Sequence, residues 1–164
     1  MPVKFRTEQQ ERDFAIDDKY RYLIDEKAWY IDNRGYIRRA ICESDTKVDV
    51  HIHRHILVLD GCSLKGLCVD HINGNKLDNR AKNLRVATHS QNGCNRGKQK
   101  NNTSGFKGVS WDDSNKAWRA QISVTKKQIY LGCYQCPKEA HDVYLAAAQK
   151  YHGEFSFENR SLSG

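Results

Sequence analysis

Val69-Asp70-His71-Ile72-Asn73-Gly74-Asn75, followed by Asn83-Leu84-Arg85 and then by Thr88-His89-Ser90-Gln91-Asn92, is the stretch that decides the fold. Residues 68–72 read as a strand, Asn73-Gly74-Asn75 as a turn, and Leu84-Arg85-Val86-Ala87 as the returning strand. Thr88 is placed to cap a short helix running from His89 to Asn95. The product is a ββα unit. It sets a carboxylate beside an imidazole and folds two carboxamides toward one point, which equips it for metal-assisted phosphodiester hydrolysis.

That chemistry needs a base near the attacking water, a cation to offset charge on the phosphorane, and stabilisation of the leaving 3′-oxygen. His71 is the candidate base, because an imidazole with an ordinary pKa of about 6.5 is a neutral acceptor at physiological pH. Asn83 is placed to cross the loop and hold either His71 or the intervening backbone. Asp70 points the other way, since neighbouring strand residues face opposite sides, so a bend or bulge is expected here. If Asp70 reaches the helix, its carboxylate and the Asn92 carboxamide oxygen form a hard, oxygen-only half-site. Such a site favours Mg²⁺ or Mn²⁺ over zinc.

Working outward, 164 residues suffice for one ordinary domain or two small ones, and two small modules are expected. Lys and Arg number 27 against 20 Asp and Glu, for a net charge of +7 and a pI near 9.1. The partner is therefore expected to be a polyanion, with nucleic acid ahead of a membrane surface. No apolar run approaches the ~20 residues of a spanning helix, and Met1-Pro2-Val3-Lys4-Phe5-Arg6 lacks the apolar core of a signal peptide. A soluble, cytoplasmic chain is expected. Its six cysteines are then reduced thiols rather than a disulfide framework. Cys133 and Cys136 have zinc-knuckle spacing without a second such pair, so they read as small side chains near a strand end, and structural zinc is not expected. Cys62 and Cys68 bracket a turn, and a site shared with Cys42 or Cys94 is the less favoured alternative.

The amino-terminal third alternates short apolar runs with turn signals, and the residues around Asn33-Arg34-Gly35 predict a hairpin in a small sheet. Residues 54–60 predict a short helix stopped at Gly61. His51, His53 and His55 recur with period two and would share one strand face. A strand ending near His53 is preferred to a metal trio, with the imidazoles serving as packing or hydrogen-bonding groups.

From Gly97 to Ser104 there is no large apolar side chain, and Arg96, Lys98 and Lys100 make the stretch cationic, the composition of a mobile linker able to follow a phosphate backbone. Residues 106–111, 117–124 and 128–132 then read as three antiparallel strands. A helix follows with Pro137 at its first position and Ala140, Val143, Tyr144, Ala147 and Ala148 on one stripe. Alternation turns Trp118, Ala120, Ile122 and Val124 toward that helix and Arg119, Gln121 and Ser123 outward. With Lys107, Lys116, Lys126, Gln128 and Tyr130, the outward row suits a sheet that enters the major groove of double-stranded DNA while lysines hold phosphates. The expected class is α+β: a ββα-metal module with a small N-terminal sheet over residues 1–96, a basic linker over 97–104, and a three-stranded sheet packed on one helix over 105–160.

Val69-Asp70-His71-Ile72-Asn73-Gly74-Asn75, Asp78-Asn79-Arg80, Asn83-Leu84-Arg85 and Asn92 resemble the HNH endonucleases, in particular the homing-type enzymes of phages and introns. Thr103 to Val109, Trp118-Arg119-Ala120, Tyr130-Leu131-Gly132, Ala140 to Tyr144 and His152-Gly153 resemble the apetala/ethylene-response-factor DNA-binding domain. The first resemblance implies His71 as general base, Asp70 and Asn92 as metal ligands, Asn83 positioning the loop, and a phage-encoded product acting in a bacterial cytoplasm. Where many relatives carry histidine this chain has Asn92, so His89 stands as an alternative ligand. The second implies major-groove binding, but the region that carries several arginines in the plant domain has Lys107, Ser110, Asp112 and Arg119 here. The leading expectation is a metal-dependent DNA endonuclease, monomeric or weakly dimeric, with no membrane and no small-molecule substrate. The alternatives are a DNA-binding regulator with an inactive HNH scaffold and, behind it, a structured-RNA binder.

Overall fold

The computed structural model describes residues 3–5, 7–25, 28–43 and 46–157, apart from the side chains of residues 42, 43, 46 and 47. These fall into two compact units, within residues 1–89 and 90–161.

The first unit is organised by a four-stranded sheet of order β1 (Val3–Lys4), β2 (Trp29–Ile31), β3 (Ile37–Glu43) and β4 (Thr46–His51). The β1–β2 pair is parallel and the other two are antiparallel. The β2–β3 turn falls at the predicted Asn33-Arg34-Gly35, where the Asp32 carboxylate accepts the amides of Arg34 (2.8 Å) and Tyr36 (2.9 Å). Ahead of β2, helix α1 (Glu8–Asp13) is capped by Thr7, and the run at residues 20–24 forms helical turns, including α2 (Tyr22–Asp25).

Helix α3 (Ile52–Leu59) starts two residues earlier than expected, immediately after His51. Its helical period explains why, because Ile52 and Ile56, one turn apart, are both fully buried. They share a core with Trp29, Ile31, Ile37 and Leu84, and each such burial contributes roughly 1.5–3 kcal/mol. A two-stranded ribbon follows, β5 (Cys68–His71) paired antiparallel with β6 (Leu84–Ala87), and then α4 (His89–Cys94).

In the second unit β7 (Val109–Asp112), β8 (Ala117–Val124) and β9 (Lys127–Tyr134) form an antiparallel sheet in chain order. A bulge falls between Ala120 and Gln121. Helix α5 (Pro137–His152) buries Ala140, Tyr144, Ala147 and Ala148, with Ile122 among the sheet residues packed against them. The strand expected from Phe106 instead begins at Val109. Gly108 has φ +75°, and a Cβ there would stand 2.0 Å from a carbon of the Tyr144 ring, so the chain turns tightly over that ring before the strand can start. Residues 97–104 are irregular in backbone.

Candidate active site

The ribbon's pairs, Cys68 with Ala87, Val69 with Val86, Asp70 with Arg85 and His71 with Leu84, run without a shift. The bend or bulge expected at Asp70-His71 is therefore absent. A regular ladder keeps the hydrogen bonds between the two strands in register, the chain turns only from Ile72 onward, and the two side chains leave opposite faces of the ribbon.

On one face Asp70, 4% exposed, is cross-strand from Arg85, whose Nε (2.9 Å) and Nη2 (2.7 Å) both donate to Oδ2. A carboxylate this deep in the fold requires such a partner. On the other face lies His71, also 4% exposed. Its ring is 5.1 Å from that of His53, centroid to centroid, and 6.1 Å from that of Tyr36. Burial pushes the His71 pKa below its ordinary value, against opposing effects of the Asn79 hydrogen bond and the Asp70 and Asp78 charges. His53 is held down to about 2 by burial, with the neighbouring His71 and His51 adding to the effect. Both rings are thus neutral acceptors over the physiological range.

The three histidines do not share a strand face. His51 ends β4, while His53 and His55 lie on α3, because the chain becomes helical where a strand extension would have carried the alternation. Among the described residues no group of three or more His, Cys, Asp or Glu side chains is arranged to hold a metal ion.

The loop between the strands is held by carboxamides. Oδ1 of Asn83 accepts the Asn73 amide at 2.9 Å, its Nδ2 donates to the Asp78 carbonyl at 2.8 Å, and its own carbonyl accepts the Ile72 amide at 2.9 Å. Asn83 thus braces backbone. The group that meets the imidazole is Asn79, fully buried, with Oδ1 3.4 Å from His71 Nε2. Beside it Asp78 takes a two-pronged pair from Arg80 (2.8 and 2.6 Å) and a bond from Asn73 Nδ2 (2.9 Å). Burial works to raise the Asp78 pKa, but the Arg80 bonds prevail and hold it below the ordinary carboxylate range. The loop is also tied to the amino-terminal segment. Ala15 exchanges backbone bonds with Leu77 (3.0 Å) and Asn79 (2.7 Å), and the Ala81 amide donates to Asp17 (2.7 Å).

Of the residues selected from sequence, Asp70, His71 and Asn83 thus gather on one ribbon and its loop. Asn92 is half-buried on α4 in the second unit, and His89, exposed, starts that helix. The Asp70 carboxylate is a hard oxygen donor of the kind that suits an Mg²⁺- or Mn²⁺-type ion, and its Oδ2 is engaged by Arg85. Asn79, Arg80, Arg85 and His53 were not selected. The Asp78-Asn79-Arg80 and Asn83-Leu84-Arg85 runs were the visible signal for the first three, but the pairing across the ribbon that gives Arg85 its partner leaves no local mark.

In the second unit Ser110 pairs with Arg119, Gln121 with Tyr130, and Ser123 with Gln128 across the sheet. Side chains facing each other in this way share a face, and this one lies opposite the face that packs on α5. Arg119 gives Nε (2.9 Å) and Nη2 to buried Asp112, whose pKa that bond holds at about 2. Lys116 and Lys126 stand in the two turns with positive φ, and Lys116 lies 3.6 Å from Asp113. Lys107 is not on a strand, since β7 begins only after Gly108. Its Nζ donates to the Cys94 carbonyl at 2.6 Å and lies 5.2 Å above the Phe157 ring. Lys98 donates to the Gly105 carbonyl (3.1 Å) and Lys100 is exposed. Residues 96–103 and the edge of β8 beyond Ala120 enclose an open concavity of about 920 Å³, lined by Arg96, Lys98, Lys100, Lys107 and Lys126 among others. Cys133 is half-buried beside Asp112 and Cys136 is exposed; with Cys62, Cys68 and Cys94 they are unbridged, and the Cys42 side chain lies outside the described residues.

A family model described as HNH endonuclease matches residues 50–94, which contain the ribbon, its loop and α4. Over 149 residues, covering 90% of this chain and 74% of the relative, the sequence is 31% identical to an uncharacterized HNH endonuclease of Acanthamoeba polyphaga mimivirus. The chain belongs to the HNH endonuclease family. It is also 40% identical over 78 residues to protein 3.8 of Escherichia phage T7, a match that takes in 46% of this chain and 64% of that protein's length. No solved structure matches. The HNH match includes the helix that carries Asn92 as well as the strand that carries Asp70 and His71. No helix among the described residues is long and apolar enough to cross a membrane.

Proposed function

We propose that this HNH protein is a metal-dependent, homing-type endonuclease that hydrolyses phosphodiester bonds in double-stranded DNA. The observation that carries the reading is His71, a buried and neutral imidazole at the end of β5, next to a loop that Asn83 braces and followed by the Asn92 helix of the family pattern. His71 removes a proton from the attacking water. Asp70 and Asn92 are the oxygen ligands that the family resemblance implies, and a divalent ion held by them would supply charge neutralisation at the phosphorane and the leaving 3′-oxygen.

The second unit supplies target affinity through its sheet, in the manner of the apetala/ethylene-response-factor domain it resembles. Asp112 already engages the Arg119 fork, so base contacts fall to Ser110, Gln121, Ser123 and Tyr130, while Lys98, Lys100, Lys107, Lys116 and Lys126 serve phosphates. One observation favours a second reading. The Asp70 carboxylate is bonded to Arg85, as it would be in a DNA-binding regulator that keeps the HNH fold only as scaffold.

Supercoiled-plasmid cleavage with Mg²⁺, Mn²⁺ or EDTA separates the two readings. Wild type is expected to give metal-dependent open-circle or linear product, and His71→Ala is expected to lose at least 10²-fold in rate, the lower end for a general base, with DNA affinity unchanged. Equal loss of cleavage and binding would sink the catalytic role. Absence of cleavage on plasmids that the protein binds specifically would favour the regulator.

A further inference from the structure

The loop contains a polar side chain to which the hydrolytic reading assigns no role. Asn79 is 0% exposed, and both ends of its carboxamide are committed. Nδ2 faces two carbonyl oxygens, Lys76 at 3.4 Å and Leu77 at 3.2 Å. Carbonyls only accept, so the end facing them has to be the amide nitrogen and the other end has to be the oxygen. That oxygen is the atom 3.4 Å from His71 Nε2. An amide oxygen also only accepts, and a neutral imidazole carries one N–H. The backbone of Asn79 cannot rotate away to relax this pattern, because its amide donates to the Ala15 carbonyl at 2.7 Å.

We propose that Asn79 is the positioning residue that sets the tautomer of His71, with the proton on Nε2 directed at Asn79 Oδ1 and the lone pair left on Nδ1. The inference rests on the hydrolytic reading only for the use to which Nδ1 is put. In that step the water O–H bond breaks, its proton passes to Nδ1 and gives an imidazolium, and the water oxygen bonds to phosphorus. The P–O3′ bond breaks with its electron pair going to the 3′-oxygen. The Nε2–H that Asn79 already accepts is retained throughout, so the ring takes up the proton without reorienting.

The test is long-range ¹H–¹⁵N correlation NMR of the full chain labelled with ¹⁵N-histidine, without DNA, using His71→Ala to assign the His71 signals among the seven histidines. Wild type is expected to show a protonated Nε2 and an unprotonated Nδ1 at His71. Asn79→Ala is expected to give a tautomer mixture and to lower kcat for cleavage by about 10- to 100-fold, the range for groups that orient a ligand or base from behind, with KM and DNA affinity within about twofold. Asn79→Asp, which keeps an acceptor oxygen of the same reach while giving up the donor to the Lys76 and Leu77 carbonyls, is expected to retain the Nε2–H signature, and the wild-type signature is itself the test where a variant does not fold. A wild-type Nδ1–H tautomer, an unchanged signature in Asn79→Ala, or an Nδ1–H tautomer in Asn79→Asp would each overturn the proposal. Because the NMR signature needs no turnover, a chain that shows it but cuts no plasmid would refute the nuclease reading and leave the role of Asn79 standing.

Discussion

Asp70 and Arg85 face each other across a two-stranded ribbon, with side chains 5% and 13% exposed. Removing one member of a buried pair leaves the other without compensation, at about 3–5 kcal/mol. Arg85→Leu is therefore expected to lower unfolding free energy by about 3 kcal/mol in urea melts. If Asp70 is a metal ligand, millimolar Mg²⁺ or Mn²⁺ will stabilise this variant more than wild type, because a cation then binds the folded state of a carboxylate that has lost its competitor. Equal stabilisation of the two would argue against Asp70 as a ligand. At this scale the sequence was legible where one residue's chemistry is distinctive: Asp70 and His71 adjacent, and two carboxamides at family spacing. It was not legible where the role depends on a cross-strand neighbour or on which way a carboxamide points. Asn83 and Asn79 are the same residue type four positions apart, yet one braces backbone and the other meets the imidazole.

Elements were legible where a single periodicity ran uninterrupted. Residues 117–124 form the strand that their alternation predicts, and Pro137 opens the helix whose small-residue stripe faces the sheet. The errors lie at junctions, where tertiary packing overrides the local pattern. Phe106-Lys107 alternates like a strand, but Gly108 has to pass over the Tyr144 ring. Gly108→Ala would add a methyl group against that ring at a φ that L-residues avoid, and it is expected to cost the second unit about 3 kcal/mol. Urea melts of the full chain, followed by signals from the second unit, would register this as a lower midpoint. The first unit's signals are expected to stay in place. The β4–α3 junction shows the same effect, since the alternation of His51 and His53 is overruled by the two isoleucines that α3 buries.

Across the whole chain, charge and buried imidazoles set how the protein responds to its medium. Residues 90–164 carry 11 Lys and Arg against 6 Asp and Glu, so most of the net charge of +7 lies there, a bias that overall composition could not locate. Lys100 and Lys126 are exposed and line the concavity. Replacing each with Ala is expected to shallow the log Kd against log salt dependence by about 0.9 for every phosphate that the lysine had neutralised, as read by fluorescence anisotropy. Acid acts on the first unit. The His53 pKa falls to about 2 on folding, so below the unfolded value of about 6.5 the unfolded chain binds a proton that the native chain refuses. The stability His53 contributes is complete above that value and is lost as pH falls, by up to about 1.4 kcal/mol per pH unit. His53→Phe is expected to remove about one proton from the slope of unfolding free energy between pH 6.5 and 5. The bonds from Ala15 and Asp17 to residues 77–81 bear on protein engineering. The motif is not a portable cassette, because residues 68–94 transplanted into a foreign scaffold would leave behind the strap that holds Asn79, and a graft has to carry residues 13–17 with it.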